Sequence, residues 1–467
     1  MSMNRRKFIK GISLSAASIA CGASAGYPAK KFIDPKERLN VAAVGVGGKG
    51  WTDWRPLLHR GENIVALCDI DRSQINRGLA EIKRAGKDPS KVKVYTDFRK
   101  MFDECKGLNA ATISTPDHMH APAAITAMIH GCHVYVQKPL VRTIWEARYF
   151  EKIAKECGVV TQLGNQGSAW TNVRRTAEIL QSGLIGTVRN FYIWTDRPVW
   201  NHQGAPAPKG EDPVPAHVDW DSWIGISPMR PFKNGYYHPF HWRSFKDFGT
   251  GAFGDDACHI MNIPFRGLQL GRVEYAECLR ADGSNKDTYP RRSVVKLRFA
   301  ARKNLPPVDL LWHDGSIKLD KGLIPDCIPA TFGKLPKTGC LIVGDKGIVV
   351  SPSNWGAQAY IALKGEKKMP GIAKHPACRD IPATLPRCRN QDHLLEFTDA
   401  CRGKVRNFSD IDVSIPMIES ILVGCIAQQV PGKLNWNPEK LEFDNKLATD
   451  LIRPYCSAGG IRKGWEF

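Results

Sequence analysis

Residues 39–71 read LNVAAVGVGGKGWTDWRPLLHRGENIVALCDID. The run opens as a short apolar strand, residues 39–44, and passes into Gly45-Val46-Gly47-Gly48-Lys49-Gly50. It continues through a helical stretch with Trp51 and Leu57, then a second apolar strand, residues 64–69, that ends on Asp69. Strand, GxGxxG, helix, strand and a carboxylate about twenty residues past the glycines make a dinucleotide-binding βαβ unit. The glycines permit the tight turn and let backbone N–H groups approach a pyrophosphate at the start of a helix. Asp69 is placed to accept hydrogen bonds from the adenosine ribose. Its charge repels a 2′-phosphate, which favours NAD over NADP, while Arg72 close by keeps NADP as the alternative.

Outward from this unit the α/β pattern continues. Helical residues 73–85, 121–130 and 144–157 alternate with strands at 92–95, 110–114, 133–136 and 159–163. Short connections between them predict a mostly parallel, doubly wound Rossmann sheet over residues 39–165. The composition then changes. Residues 194–253 are dense in Trp, Tyr, Pro, His and Gly and read as long loops lining a pocket. Residues 273–279, 293–299 and 308–312 alternate in strand fashion, and residues 392–401 and 415–429 are helical. A C-terminal α/β domain over 166–467 follows, with a large open, mostly antiparallel sheet and one face on helices.

The formal charge is +20, from 66 Lys and Arg against 46 Asp and Glu. These cations are spread along the chain, with no basic run interleaved with stacking aromatics, which argues against nucleic acid as a partner. Acidic or sulfated sugars are the option the excess charge leaves open. The 14 cysteines are irregularly spaced from Cys21 to Cys456 without a CxxC pair. That excludes a zinc ribbon or disulfide framework and reads as buried free thiols. Asn4-Arg5-Arg6-Lys7-Phe8-Ile9-Lys10 resembles a twin-arginine export motif. An apolar run, residues 12–20, and a small-residue cleavage site, Ala23-Ser24-Ala25, follow it. Residues 1–25 are therefore expected to be a signal peptide, 26–38 a linker and the mature protein periplasmic, with no transmembrane segment. Export of an already folded chain reconciles that compartment with free thiols. Lipidation of Cys21 is the minor alternative, since Ser18-Ile19-Ala20-Cys21 lacks the usual leading Leu.

Two further pieces end strands of the first domain: Thr115-Pro116-Asp117-His118-Met119-His120 and Gln137-Lys138-Pro139-Leu140. A Lys at a strand's carboxyl end, followed by Pro, points into the crevice where such sheets bind ligands. With the glycine motif and residues 249–259, GTGAFGDDACH, these pieces resemble the Gfo/Idh/MocA oxidoreductases from about Leu39 onward. Residues 184–188 (LIGTV) and 344–347 (GDKG) extend the resemblance, and residues 219–225 and 237–243 resemble its exported members.

The resemblance implies hydride transfer between a sugar-like secondary alcohol and a nicotinamide. It also implies an oligomer built on the C-terminal sheet. Lys138 then contacts the reacting oxygen, and Asp255 with His259 completes the site. Those two are four residues apart and share a helix face. His259 is expected to act as acid/base with a pKa near working pH, and Lys138 to relay that proton and polarise the developing carbonyl. Cofactor contacts are expected from Gly45, Gly47, Gly48, Lys49, Gly50, Asp69, Thr115, Pro116, His120 and Gln137, and by family position from Asn165 and Gln166. Arg174, Trp194, Tyr237, His238 and Arg243 are candidate substrate contacts. His118 and His120 lack a nearby carboxylate or Cys partner, so no metal is expected.

The chain departs from the family pattern at Gln137, where Glu is usual, and at Ala257, where Gly is usual. Asp256 adds a second carboxylate. The expected function is an NAD-dependent oxidoreductase acting on a sugar or glycoside ring hydroxyl, with C3 the natural position and the cofactor tightly held. The alternative is an NAD-dependent glycosidase working by transient C3 oxidation, elimination and re-reduction. Such glycosidases have lost much of the Lys-Pro signature, which this chain keeps.

Overall fold

The computed structural model describes residues 31–455 and 459–467. The twin-arginine motif, the expected cleavage site and Cys21 lie outside the described residues.

The first sheet has six parallel strands: β1 (Asn40–Val44), β2 (Asn63–Cys68), β3 (Lys93–Tyr95), β4 (Ala110–Ile113), β5 (His133–Gln137) and β6 (Thr161–Gly164). Their order is β3-β2-β1-β4-β5-β6. Val41, Ala42 and Ala43 are fully buried, which suits a central strand covered on both faces. The strand order reverses between β1 and β4, and the crevice at their carboxyl ends is where such sheets take ligands. Gly45, Asp69, Thr115 and Lys138 follow the carboxyl ends of β1, β2, β4 and β5, so four separate stretches of sequence converge there. The helix Ile144–Cys157 begins on a capping box, Thr143 with Glu146, and stops at Gly158 in the left-handed conformation (φ 63°).

The second sheet has nine strands: β7 (Val188–Trp194), β8 (Val273–Asp282), β9 (Arg292–Phe299), β10 (Val308–His313), β11 (Gly339–Gly344), β12 (Gly347–Ser351), β13 (Tyr360–Leu363), β14 (Lys433–Asn437) and β15 (Glu442–Phe443). Their order is β13-β12-β11-β7-β10-β9-β8-β14-β15. The β7/β10 pair is parallel and the other pairs are antiparallel. One face, with Phe191, Leu297, Leu310 and Trp312, joins the apolar helix Ile411–Ala427 in the main core. The other face is covered at one end, where Leu341 and Val350 pack with Leu319, Ile328 and Met369. Near the opposite end Leu279 is exposed.

Two features depart from a simple division at residue 165. The helix His393–Cys401 sets Leu394 and Phe397 among Trp54 and Leu57 of the first domain. Trp465 packs against Phe98, with Arg99 lying 3.6 Å over its ring. Residues beyond β7 form the expected loops, with their own aromatic core of Trp220, Trp223, Phe232, Tyr237, Trp242, Phe245 and Phe248. This insertion docks on the end of β2: Arg72 N–H donates to the His217 carbonyl (2.9 Å) and Asp219 N–H to that of Ile70 (2.8 Å). The twelve described cysteines are free, and most are buried. No helix among the described residues is long and apolar enough to cross a membrane.

Candidate active site

The crevice is a cleft of about 1050 Å³ running from the glycine turn to the helix Gly251–Ile260. Its cofactor end is built from the turn itself. Gly45 has φ 79°, and a Cβ on it would lie 2.6 Å from the Ser114 carbonyl oxygen; at Gly50 a Cβ would lie 1.8 Å from the Gly45 carbonyl oxygen. Only glycine lets these backbones meet. The helix Gly48–His59 then starts without a side-chain cap and with no acidic residue in its first turn. Its N–H groups are left for a ligand anion.

Asp69 is bound into the same turn. Its Oδ2 accepts from Val46 N–H (2.7 Å) and Gly47 N–H (3.2 Å), and its Oδ1 from Asp71 N–H (3.0 Å). Burial raises its pKa, and these amides oppose the rise. Thr115 lines the cleft with a buried Oγ1 that has no partner among the described residues. An uncapped helix start, a turn that only glycine fits, a carboxylate at the ribose position and an orphaned hydroxyl suit a dinucleotide. Gly45, Gly47, Gly48, Lys49, Asp69, Thr115, Pro116, Gln137 and Gln166 all line this cleft.

Behind them lies a network that sequence reasoning missed. Asp53, 1% exposed, accepts from Lys49 Nζ (2.5 Å), Ser114 Oγ (2.8 Å) and Gln137 Nε2 (3.0 Å). One carboxylate thereby ties together the turns after β1, β4 and β5. Its only signal in the sequence is a place four residues after Lys49 on a helix.

At the reacting end, Lys138 Nζ donates to Asp255 Oδ1 (2.6 Å) and to the Asp255 carbonyl (3.1 Å), and Arg243 Nε donates to the same Oδ1 (3.1 Å). Burial pushes the Asp255 pKa up, but Lys138 and Arg243 outweigh it and hold the carboxyl well below the ordinary range. His259 stacks on Trp355 (ring centroids 5.2 Å, planes 14° apart). Burial and then the charge of Lys138 push its pKa down to about 3, against a smaller opposing effect of Asp255. This differs from the expected value near working pH: in the free cleft the ring is neutral. Asp256 also faces the cleft, where burial raises it to about 6.

Several expected contacts sit elsewhere, each for a packing reason. Gly50 lies inside its helix against Gly45. His120 stands behind the cleft wall, bonded to the Thr115 carbonyl (2.8 Å); burial pushes its pKa down to about 3. Asn165 is buried on Ser168 and Ser409. Trp194 donates to the Pro336 carbonyl (2.7 Å) on the far face of the second sheet. Tyr237 belongs to the insertion's aromatic core. His238 lines the cleft, but at its adenosine end, 3.8 Å from Asp71. Arg243 alone of the five proposed substrate contacts reaches the reacting end.

Arg174 is 1% exposed and is consumed by Glu396 (2.6 Å) and the carbonyls of Ser168 and Pro386. Arg174→Met leaves Glu396 buried without its guanidinium partner. It is expected to cost roughly 3–5 kcal/mol of stability in denaturant titrations while kcat of the folded fraction is unchanged.

Asp117 gives a second stability prediction. It is buried and accepts from Thr250 Oγ1 (2.8 Å). Burial, then Asp255, raise its pKa to about 7. A raised carboxylate keeps in the folded chain a proton that the unfolded chain has released, so stability falls as pH rises from about 4 to 7. Asp117→Asn removes that dependence. Its gain in unfolding free energy over the parent is expected to be near zero at pH 4 and roughly 2–4 kcal/mol above pH 7, read from melts across that range.

Comparisons with known proteins bear on the first domain and on the fold. Residues 39–165 match the Gfo/Idh/MocA family model, described as an oxidoreductase family with an NAD-binding Rossmann fold. A curated relative from Shewanella sp. (strain ANA-3), "Glycosyl hydrolase family 109 protein 1", is 31% identical over 165 residues, covering 31% of this chain and 35% of its own. The "Alpha-N-acetylgalactosaminidase" of Shewanella oneidensis is 32% identical over 141 residues, 29% of this chain and 30% of its own. The matches thus span about a third of those relatives' length. Among solved structures, an inositol dehydrogenase homologue from Azotobacter vinelandii, complexed with NAD+, has a TM-score of 0.59 at 15% identity, covering 87% of this chain and 99% of its own. The WlbA dehydrogenase from Chromobacterium violaceum, in complex with NADH and UDP-GlcNAcA, also has a TM-score of 0.59 at 15% identity, covering 86% and 97%. Residues 39–165 therefore match this oxidoreductase family's NAD-binding Rossmann model, in a chain whose α/β fold those crystal structures share.

Proposed function

We propose that the chain oxidises a ring hydroxyl of a sugar or glycoside, with C3 as the position, using an NAD it holds tightly. The observation that carries this reading is the placement of Lys138, Asp255 and His259 in one cleft with the glycine turn and Asp69. Bound NAD supplies the hydride acceptor. Gly47, Gly48, Asp69, Thr115 and Gln166 would hold it. His259, neutral in the cleft, accepts the hydroxyl proton, and ionised Asp255 nearby stabilises the imidazolium that forms. Lys138 donates toward the oxygen that becomes a carbonyl, and Arg243 takes up the Asp255 oxygen that Lys138 then shares. Trp200, Phe240 and Trp242 line the same end as apolar walls for sugar C–H faces.

The insertion docked at the end of β2 supports a retained cofactor, as does the resemblance of residues 4–10 to an export motif: a protein that left the cytoplasm folded would carry its NAD along. On this reading the protein works in the periplasm, and an oligomer would form through the open face of the second sheet, near exposed Leu279. A second reading, redox-neutral glycoside cleavage, is favoured by the curated relatives named glycosyl hydrolases and by Asp256, a second buried carboxylate facing the reacting end. Mass spectrometry of the isolated protein is expected to find NAD. A glycoside panel followed by absorbance at 340 nm and product analysis then separates the readings. Net NADH with a keto-sugar supports dehydrogenation, and free aglycone without net NADH supports cleavage.

A further inference from the structure

Three cations line the reacting end of the cleft: Lys138, Arg243 and Arg197. The first two donate to Asp255 Oδ1. Arg197 is held differently. Its backbone is fixed just past β7, where its N–H donates to Thr195 Oγ1 (3.3 Å) and its carbonyl accepts from Gly315 N–H (2.6 Å). Its guanidinium reaches the cleft with a buried Nε that has no hydrogen-bond partner among the described residues. The nearby carboxylate pairs with it by charge alone, without a hydrogen bond. Asp256 Oδ1 stands 4.0 Å from that Nε, beyond hydrogen-bond length. Its two oxygens already accept from Thr195 Oγ1 (2.8 Å) and Asn354 Nδ2 (3.2 Å).

A buried donor left unpaired carries a desolvation cost that a ligand acceptor removes. The charge at this end points the same way. Three cations line this end beside two carboxylates, Asp255 and Asp256, and His259 is neutral; Asp117 close to them, raised to about 7, is only part-ionised, so the lining carries an excess of positive charge. Arg197 Nε stands 4.0 Å from Asp256, the residue next to Asp255 on the helix Gly251–Ile260. The complementary group therefore sits on the sugar unit that reacts, not on a distant one.

We propose that Arg197 forms a subsite for an anionic substituent, a carboxylate or a sulfate, on the sugar being oxidised. Guanidinium matches such oxyanions through parallel N–H donors, which a neutral hydroxyl cannot reproduce. The inference rests on the reading of this cleft as a sugar site and narrows its substrate class. The chain's formal charge of +20 suits the approach of such substrates.

The test uses NAD-loaded full-length protein and three matched probes: a methyl hexopyranoside, its C6 carboxylate and its 6-O-sulfate, in the gluco and galacto series. Binding is read by quenching of tryptophan fluorescence, since Trp200 and Trp242 line the cleft, and turnover by absorbance at 340 nm. One charged probe is expected to exceed its neutral partner by ~10–100-fold in affinity and kcat/KM. Which of the two charged probes does so identifies carboxylate or sulfate. In Arg197→Gln that ratio falls toward one, and Arg197→Lys restores part of it. Equal binding of charged and neutral probes overturns the subsite. So does a ratio untouched by Arg197→Gln, or no saturable quenching by any probe. Selective, Arg197-dependent binding without NADH keeps the subsite and instead refutes the oxidation reading.

Discussion

Lys138→Ala is expected to lower single-turnover hydride transfer by roughly 10³-fold while bound NAD, counted by mass spectrometry, stays at the parent level. The two readouts separate because Lys138 belongs to the reacting end. Its Nζ is tied to Asp255 through side chain and carbonyl, whereas the cofactor cradle is held by the glycine turn, Asp69 and Asp53. The substitution removes the donor to the forming carbonyl. It also leaves Asp255 with Arg243 as its main counter-charge, so the Asp255 pKa rises. The residual activity is therefore expected to fall off at a higher pH than in the parent as the solution is acidified. His259→Ala should lose activity on the same scale without moving that acid limb upward. Equal loss of NAD and activity in Lys138→Ala would instead make the residue part of the cradle.

Gly50→Ala is expected to abolish stable NAD retention, at least ~100-fold in affinity, for a purely steric reason. The added Cβ would lie 1.8 Å from the Gly45 carbonyl oxygen, 2.8 Å from its carbon and 3.2 Å from Ser114 Cβ. The turn must open, and the N–H groups of Val46 and Gly47 move off the positions that Asp69 now fixes. Gly61→Ala is the control in the same βαβ unit, away from the cleft. A Cβ there meets nothing within 4 Å, and the burden is φ 89° alone. Such a left-handed residue costs about 1–2 kcal/mol, so this variant keeps most of its cofactor. Isothermal titration with NAD on protein stripped of cofactor distinguishes the two.

The first domain was legible because one motif sets its register. A strand buried on both faces, glycines at a forced turn and a terminal carboxylate leave little freedom, and the helix Ile144–Cys157 falls where its caps place it. Strands β11 to β13 were not legible: they are short, begin or end near glycines and lie between loops, and their partner β7 comes from far earlier in the chain. The reacting end was legible in part. Lys138, Asp255 and His259 stand in recognisable motifs, while Asp53, Arg197 and Trp355 sit on a helix or in loops with no pattern of their own. Arg174, Trp194 and Tyr237 show the opposite difficulty. An Arg or an aromatic residue near a site in sequence serves packing equally well, and only the identities of Glu396, Pro336 and Phe248 as neighbours reveal that use.

On the proposed reading this cleft moves a hydride from a sugar carbon to a bound nicotinamide. Incubating the NAD-loaded protein with methyl glycosides deuterated at C3, and weighing the extracted nucleotide, tests it most directly. The account predicts NADH one mass unit heavier than with the unlabelled probe, together with absorbance at 340 nm and no such product from His259→Ala. Nucleotide that stays oxidised and unlabelled with every glycoside, despite saturable binding of at least one, would contradict it.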